Sequence, residues 1–341
     1  MSPELTAFRL SLPLREPHVA AHGSERHRRV VLIRCRPEEG PVGWGECPTL
    51  SGGGYSEETT DRAWAALVNG GSTRLGPMAA GALADSQLDA SLRGGGQSLA
   101  SLLGSTRSSV PMTLVVSMGR ELDGELIRSV SMVKIKIDPS SVGRLREIRD
   151  RYPDLALAAD ANGSFRSAEQ VPEWIDELDL AYLEQPLPPG DLAQIAAVRS
   201  RLRTPIALDE SISGPAALRD ALSVGALDVV SIKPARVGGL IAAYDCLVMA
   251  RAAGVDSFVG GMLETGIGRA GALALAACDG ITLPTDLGPS RRYFDRDVCD
   301  PIVVGPDGQL VVPVGAGIGR VPDADALDRY VVDEAPVSIR V

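Results

Sequence analysis

Aromatic residues make up only 4% of this 341-residue chain, so its core has to be built from Ala, Leu, Val and Ile. Cysteine is sparse too. Cys35, Cys47, Cys246, Cys278 and Cys299 show no CxxC spacing and are too few for a disulfide framework. The first four lie in apolar or glycine-rich surroundings and read as reduced, buried thiols. Positive charge is in deficit: a net charge of −10 leaves no footprint for nucleic acid. The one dense basic cluster, Arg26-His27-Arg28-Arg29, reads as a solvated turn, with a substrate-anion contact as the alternative. No charged-then-apolar leader opens the chain, and no apolar run reaches membrane-spanning length. A cytoplasmic protein without a membrane partner is expected. Neither GxGxxG nor GxxxxGK[ST] occurs, which weakens the nucleotide-binding classes. What remains is ordinary for a soluble globular protein: 45% hydrophobic and 23% charged residues, and length for a barrel plus a smaller partner.

The pattern changes near residue 105. Before it, strand-like stretches (LTAFRLSLPL, RVVLIRCR and GPVGWGEC) predict a three-stranded meander, with the polar segment Arg15 to Arg28 joining the first two. Helix-like runs follow: SEETTDRAWAALVNG, with Ser56 as a weak cap, and PMAAGALADSQLDASLRG. Residues 1–105 therefore read as an α+β capping domain. From Pro111, eight short candidate strands alternate with amphipathic helical stretches, AEQVPEWIDEL among them. That alternation predicts a closed parallel α/β barrel of the TIM type over residues 106–290. The tail, 291–341, carries one more strand-like segment, GQLVVPV, and is expected to pack back on the capping domain.

Within the barrel region three acids end apolar runs at gaps of 24 and 25 residues: Asp160 in LALAADAN, Glu184 in LAYLEQP and Asp209 in PIALDES. One further gap of 24 on either side lies a lysine, Lys136 in VKIKID and Lys233 in VVSIKPA. About 24 residues is what one strand, one helix and two loops consume, so the five belong at the barrel mouth. Taken singly, DAN and DES are ordinary caps or turns; their common phase is what makes them one site. Carboxylates on strands three, four and five can converge on one cation, and oxygen-only ligands point to Mg²⁺ or Mn²⁺. Strands two and six are opposite one another in an eight-stranded barrel, so their lysines face each other across the opening. Lys134 and Lys136 share a strand face, where mutual repulsion is expected to lower the pKa of one. Asn162 shares a face with Asp160 as a supporting donor. Such a set suits removal of a proton next to a carboxylate, because a cation and an ammonium stabilise the charge that develops while a neutral lysine takes the proton.

Lys134-Ile-Lys136, Asp160-Ala-Asn162, Glu184-Gln-Pro186, Asp209-Glu210-Ser211 and Lys233-Pro234 resemble the enolase superfamily in order and spacing. GWGEC, GGMLETGIGRA, LPTDLGPSRRYFDRDV and GAGIGRVPD are similar to the group that holds o-succinylbenzoate synthases and N-succinylamino acid racemases. The resemblance covers nearly the whole chain. It implies Mg²⁺ on Asp160, Glu184 and Asp209, Lys136 as acid/base, Lys134 on the substrate carboxylate, and Lys233 on the opposite side. It also implies a closing loop over roughly Arg15 to Arg29. The activity implied is a lyase reaction: syn-dehydration of a succinyl-bearing cyclohexadiene carboxylate in menaquinone biosynthesis. The alternative is racemisation of N-succinylamino acids, which Arg236 would accompany; muconate-type cycloisomerisation stays open. Dipeptide epimerisation fits less well, because the eighth strand ends Thr285-Asp286-Leu287 rather than in a DxD pair, and a dead barrel serving as a binding module fits least. Departures from the pattern are Asp85 in place of Glu, Gly81 inside a helix, Ala235 after Lys-Pro, and the glycine-rich SGGGYSEET. Glu264 reads as a hydrogen-bonded structural acid.

Overall fold

The computed structural model describes residues 3–20, 23–69, 75–122 and 124–338, with the side chains of 18–20, 23, 24 and 125 left aside. The first three strands, Glu4–Ala20, Gly23–Arg36 and Gly43–Cys47, pair antiparallel as expected. The strand period of two divides the apolar residues between two layers. Ala7, Val31 and Ile33 pack on helices Thr60–Val68 and Pro77–Gly94, whereas Phe8, Leu10, Val30 and Leu32 join the main core. A sheet buried on both faces explains the unbroken apolar run Val30-Val31-Leu32-Ile33. The sheet has four strands rather than three, because Val331–Pro336 adds to the outer edge of Glu4–Ala20. GQLVVPV goes elsewhere: its Leu310–Val311 pairs with Ser109–Val110.

Two local expectations are corrected. Thr59, not Ser56, caps the helix Thr60–Val68 by accepting from Arg62 N, while the Ser56 hydroxyl accepts from Glu58 N. AEQVPEWIDEL is not one α-helix but two 3₁₀ turns, Ala168–Gln170 and Glu173–Leu178, since Pro172 cannot donate within a continuous helix.

Seven parallel barrel strands follow in chain order: Thr113–Val116, Met132–Lys136, Leu157–Asp160, Leu183–Glu184, Ile206–Leu208, Val229–Ile232 and Asp256–Val259. The eighth candidate, GITLPTD, does not form a regular strand; Pro284 removes a ladder donor. The ring still closes there. Thr285 bridges Met112 and exchanges backbone bonds with Pro111 and Thr113, and Leu283 and Asp286 donate to Ser257 and Val259 on the other side.

The cap docks on the barrel through the positions that departed from the family pattern. At Gly81 a Cβ would lie 2.7 Å from Gly239 N, so only glycine lets helix Pro77–Gly94 lie against the Gly238-Gly239 turn. One turn on, Asp85 accepts from Leu240 N at 2.9 Å and caps the barrel helix Leu240–Ala253. All five cysteines are free and buried. Among the described residues no helix is long and apolar enough to cross a membrane.

Candidate active site

Lys136, Asp160 and Glu184 are the last residues of strands two, three and four, and they stand side by side in register. Asp209 and Lys233 each follow the last residue of strands five and six. All five charged groups therefore sit at the C-terminal rim, where a parallel barrel presents its chemistry. Val133, Ile135 and Ile137 point away into the core, leaving the two lysines of KIK inward.

Each acid is engaged by a cation. Lys134 Nζ meets Glu184 Oε2 at 2.5 Å and also bonds Asp286. Lys136 Nζ lies 3.2 Å from Asp160 Oδ2 and 2.6 Å from Asn162 Oδ1. Asp209 takes Lys233 Nζ at 2.8 Å on one oxygen and Arg236 Nη1 at 2.5 Å on the other. Asn162 Nδ2 continues to Glu210 Oε1 at 3.0 Å. Among the described residues no three acids meet in a ready-made cation cage, so the carboxylates as they stand do not converge on one point. They are nonetheless mutual neighbours. Burial drives the Glu184 carboxyl well above the usual range, and, against the pull of Lys134, Asp160, Asp209 and Asp286 push it further. A buried set of hard oxygen donors that repel one another is the chemistry a divalent cation fits.

The expected mutual repulsion of Lys134 and Lys136 does not govern Lys134. Burial opposes its charge, but Asp286 and Glu184 outweigh burial and hold its pKa well above the ordinary value. It also sits 4.9 Å over the ring of Phe258, which stacks on Tyr182 beneath the site. At Asp209 burial is likewise overcome: Arg236 and Lys233 keep the carboxyl below the normal range. Lys233 is in turn raised, with burial opposing and Asp209 prevailing. Burial and the Asp209 charge lift Glu210 to about 7.

Three contributors were missed in the sequence. Asp286 ends the eighth segment and pairs with Lys134; it is an acid closing an apolar run, the same signal that found the others. Tyr55, in the glycine-rich cap loop, puts its hydroxyl 3.3 Å from Lys233 Nζ and 2.7 Å from Arg236 Nη1. Gln185, at φ +38°, accepts from Asp209 N and Ser211 N at 3.1 Å and so fixes the strand-five end. Asn162 and Leu263 share that left-handed conformation at the ends of strands three and seven.

Arg28 is neither a solvated residue nor an anion contact: it is fully buried on backbone carbonyls, whereas Arg26, His27 and Arg29 are exposed. The joining segment is a continuation of the cap hairpin, paired out to Ala20 and Gly23; residues 21 and 22 lie outside the described residues. Glu16 pairs with Arg120 at 2.6 Å, and Arg15 with Asp295 at 3.2 Å, so the distal part of the hairpin lies on the loop after strand one and on the C-terminal segment. Glu264 accepts from Met262 N at 2.8 Å and belongs to the cap–barrel contact with Glu46, as a structural acid does.

Residues 118–326 match the family described as "Enolase C-terminal domain-like". The chain is 35% identical to an N-succinylamino acid racemase of Amycolatopsis over 94% of its length and 95% of that protein's. It is 30% identical to the o-succinylbenzoate synthase of Bacillus subtilis over 96% of each. A probable mandelate racemase from Alicyclobacillus acidocaldarius superposes with a TM-score of 0.89 at 35% identity, covering 99% of both chains. The expected barrel with an N-terminal capping unit is thus the fold of known relatives. The chain belongs to the enolase superfamily, in the group shared by N-succinylamino acid racemases and o-succinylbenzoate synthases.

Proposed function

We propose that this chain removes the proton next to a carboxylate in a succinyl-bearing substrate, and that its reaction is the syn-dehydration that makes o-succinylbenzoate for menaquinone. The observation that carries the reading is the pair of lysines at the ends of strands two and six, on either side of Asp160, Glu184 and Asp209. Asp160, Glu184 and Asp209 would hold Mg²⁺, which when bound supplies positive charge opposite the substrate carboxylate. Lys134, pinned between Glu184 and Asp286, is placed to bind that carboxylate. Lys136 takes the proton and returns it to the departing hydroxyl on the same side. Asn162 orients its amine by accepting at 2.6 Å. Lys233 faces the developing negative charge from across the opening. Burial under the cap excludes water from the charged intermediate.

A second reading, racemisation of N-succinylamino acids, is favoured by how Lys233 is held. Arg236 shares Asp209 with it, and Tyr55 contacts both. So well-oriented a group is placed to exchange a proton on the second face, giving it where Lys136 takes one, and the 35% identity to a racemase points the same way. Turnover of the cyclohexadiene substrate, measured beside racemisation of N-succinylamino acids, tests both. Dehydration is expected to be the faster. Racemisation alone would assign the second reading, and the absence of both activities would overturn the proposal.

A further inference from the structure

Arg28 has no role in the chemistry above, yet its side chain is fully buried on the second strand of the cap hairpin, opposite Leu12. Nε donates to Leu263 O at 3.0 Å, and Nη1 to Arg29 O at 2.9 Å and Thr49 O at 2.8 Å. Nη2 donates to Met262 O at 3.0 Å and to Pro48 O. All of the guanidinium's donating groups are thus directed at backbone carbonyls, and the nearest carboxylate, Glu25, stands off at 3.7 Å. Burying a cation is costly unless its hydrogen bonds are met in full, so the gripped carbonyls are held in place by a group with few alternatives.

The two gripped segments converge on Lys233. Pro48-Thr49 leads into the cap loop whose Tyr55 hydroxyl contacts Lys233 Nζ and Arg236. Met262-Leu263 continues from Gly260, where a Cβ would lie 2.8 Å from Lys233 Cε. Leu263 itself is held at φ +56°, a conformation leucine resists. The partners of Lys136 are different: Asp160 and Asn162 come from the end of strand three, and neither touches Arg28.

We propose that Arg28 is a positioning residue for Lys233, tying the Tyr55 loop to the Gly260–Leu263 turn so that the two walls against Lys233 are fixed from outside the site. The face-specific part rests on the two-lysine reading above. Arg28→Lys keeps the charge but offers too few donors for both walls; should it fail to fold, Arg28→Gln, which buries no charge, takes its place. The first measurement is α-proton exchange in deuterated buffer for N-succinyl-L-phenylalanine and N-succinyl-D-phenylalanine. The Lys233 face is defined by whichever exchange Lys233→Ala abolishes. Arg28→Lys should lose at least about ten-fold on that face and less than about two-fold on the other, because small displacements of a reacting group cost orders of magnitude. The second measurement is backbone hydrogen exchange over residues 48–56 and 260–265, which should quicken at least about ten-fold while the barrel strands keep their protection. Equal losses on both faces, no loss, or unchanged protection of the two segments would overturn the proposal. If the unaltered protein exchanges neither enantiomer, the functional reading fails, and the hydrogen-exchange result alone decides the role of Arg28.

Discussion

The two sides of the site are built differently. On the Lys136 side the amine contacts Asp160 and Asn162, both at the end of the adjacent barrel strand. On the Lys233 side the amine is held by Asp209 from the barrel and by Tyr55 from the cap. Among the described residues one face is therefore made by the barrel alone, and the other is completed only when the cap is docked. The contrast recurs in part in the supporting residues: Asn162 leans on Glu210 of the barrel, whereas Arg236, held there by Asp209, Ile212 O and Ser231 O, also contacts Tyr55 of the cap. A barrel that supplies one base outright can catalyse on that face, and the cap decides whether the second face takes part.

Removing the shared element should erase both sides together. Glu184→Gln, or excess EDTA, is expected to cut turnover by about 10³-fold or more, since each carboxylate is part of a site of hard oxygens only. Full activity in EDTA, or a requirement for Zn²⁺ instead, would contradict the metal assignment. Deleting residues 17–26 should raise KM strongly while leaving metal affinity intact, because the segment contains none of Asp160, Glu184 and Asp209, and its flanking residues Arg15 and Glu16 set it on Asp295 and Arg120. An unchanged KM would detach the hairpin from the substrate.

Tyr55→Phe sharpens the contrast at one atom. Loss of a hydroxyl that contacts Lys233 and Arg236 should slow exchange on the Lys233 face by about ten-fold, near the worth of one hydrogen bond to a charged group, and leave the Lys136 face unaltered. Equal slowing of both faces would mean that the cap acts on the whole site.

The smallest effect concerns the cap–barrel seam. Burial lifts the Asp85 carboxyl to about 7 from an ordinary 3.8, with Asp89 adding to the rise against the bond from Leu240. A folded-state pKa above the unfolded one means that the fold holds the proton more tightly. The contribution to stability is therefore complete below about pH 4 and is lost as pH rises through 7. Asp85→Asn keeps an oxygen for Leu240 N but carries no charge. Its unfolding free energy should gain on that of the unaltered protein as pH climbs from 4 to 8, by about 4 kcal/mol. A constant difference across that range would show Asp85 to be ionised in the fold throughout.

What the sequence made legible is whatever the barrel repeats. The strand–helix period put Lys136, Asp160, Glu184, Asp209 and Lys233 at strand ends because each unit consumes nearly the same length of chain. Asp286 was passed over because no charged residue marks the end of strand seven, so the run of evenly spaced charges stops at Lys233. Tyr55 and Arg28 were illegible for a different reason: they contact the barrel across the cap seam, Tyr55 at the site and Arg28 outside it, and no periodicity within the chain links a cap residue to a barrel rim. The same seam explains Gly81 and Asp85, which read as defects of a helix in isolation and are contacts once Gly239 and Leu240 lie against them. Proline decided the remaining local error, since Pro172 interrupts an otherwise amphipathic pattern.

The central claim is that Lys136 and Lys233 stand on opposite faces of one substrate. Its most direct test is α-proton exchange of each N-succinylamino acid enantiomer in deuterated buffer with Lys136→Ala and Lys233→Ala side by side. We predict mirror patterns: Lys233→Ala still exchanges one enantiomer slowly and leaves the other inert, and Lys136→Ala does the reverse. Exchange of both enantiomers at equal rates in either variant would place the two amines on the same face and contradict the account.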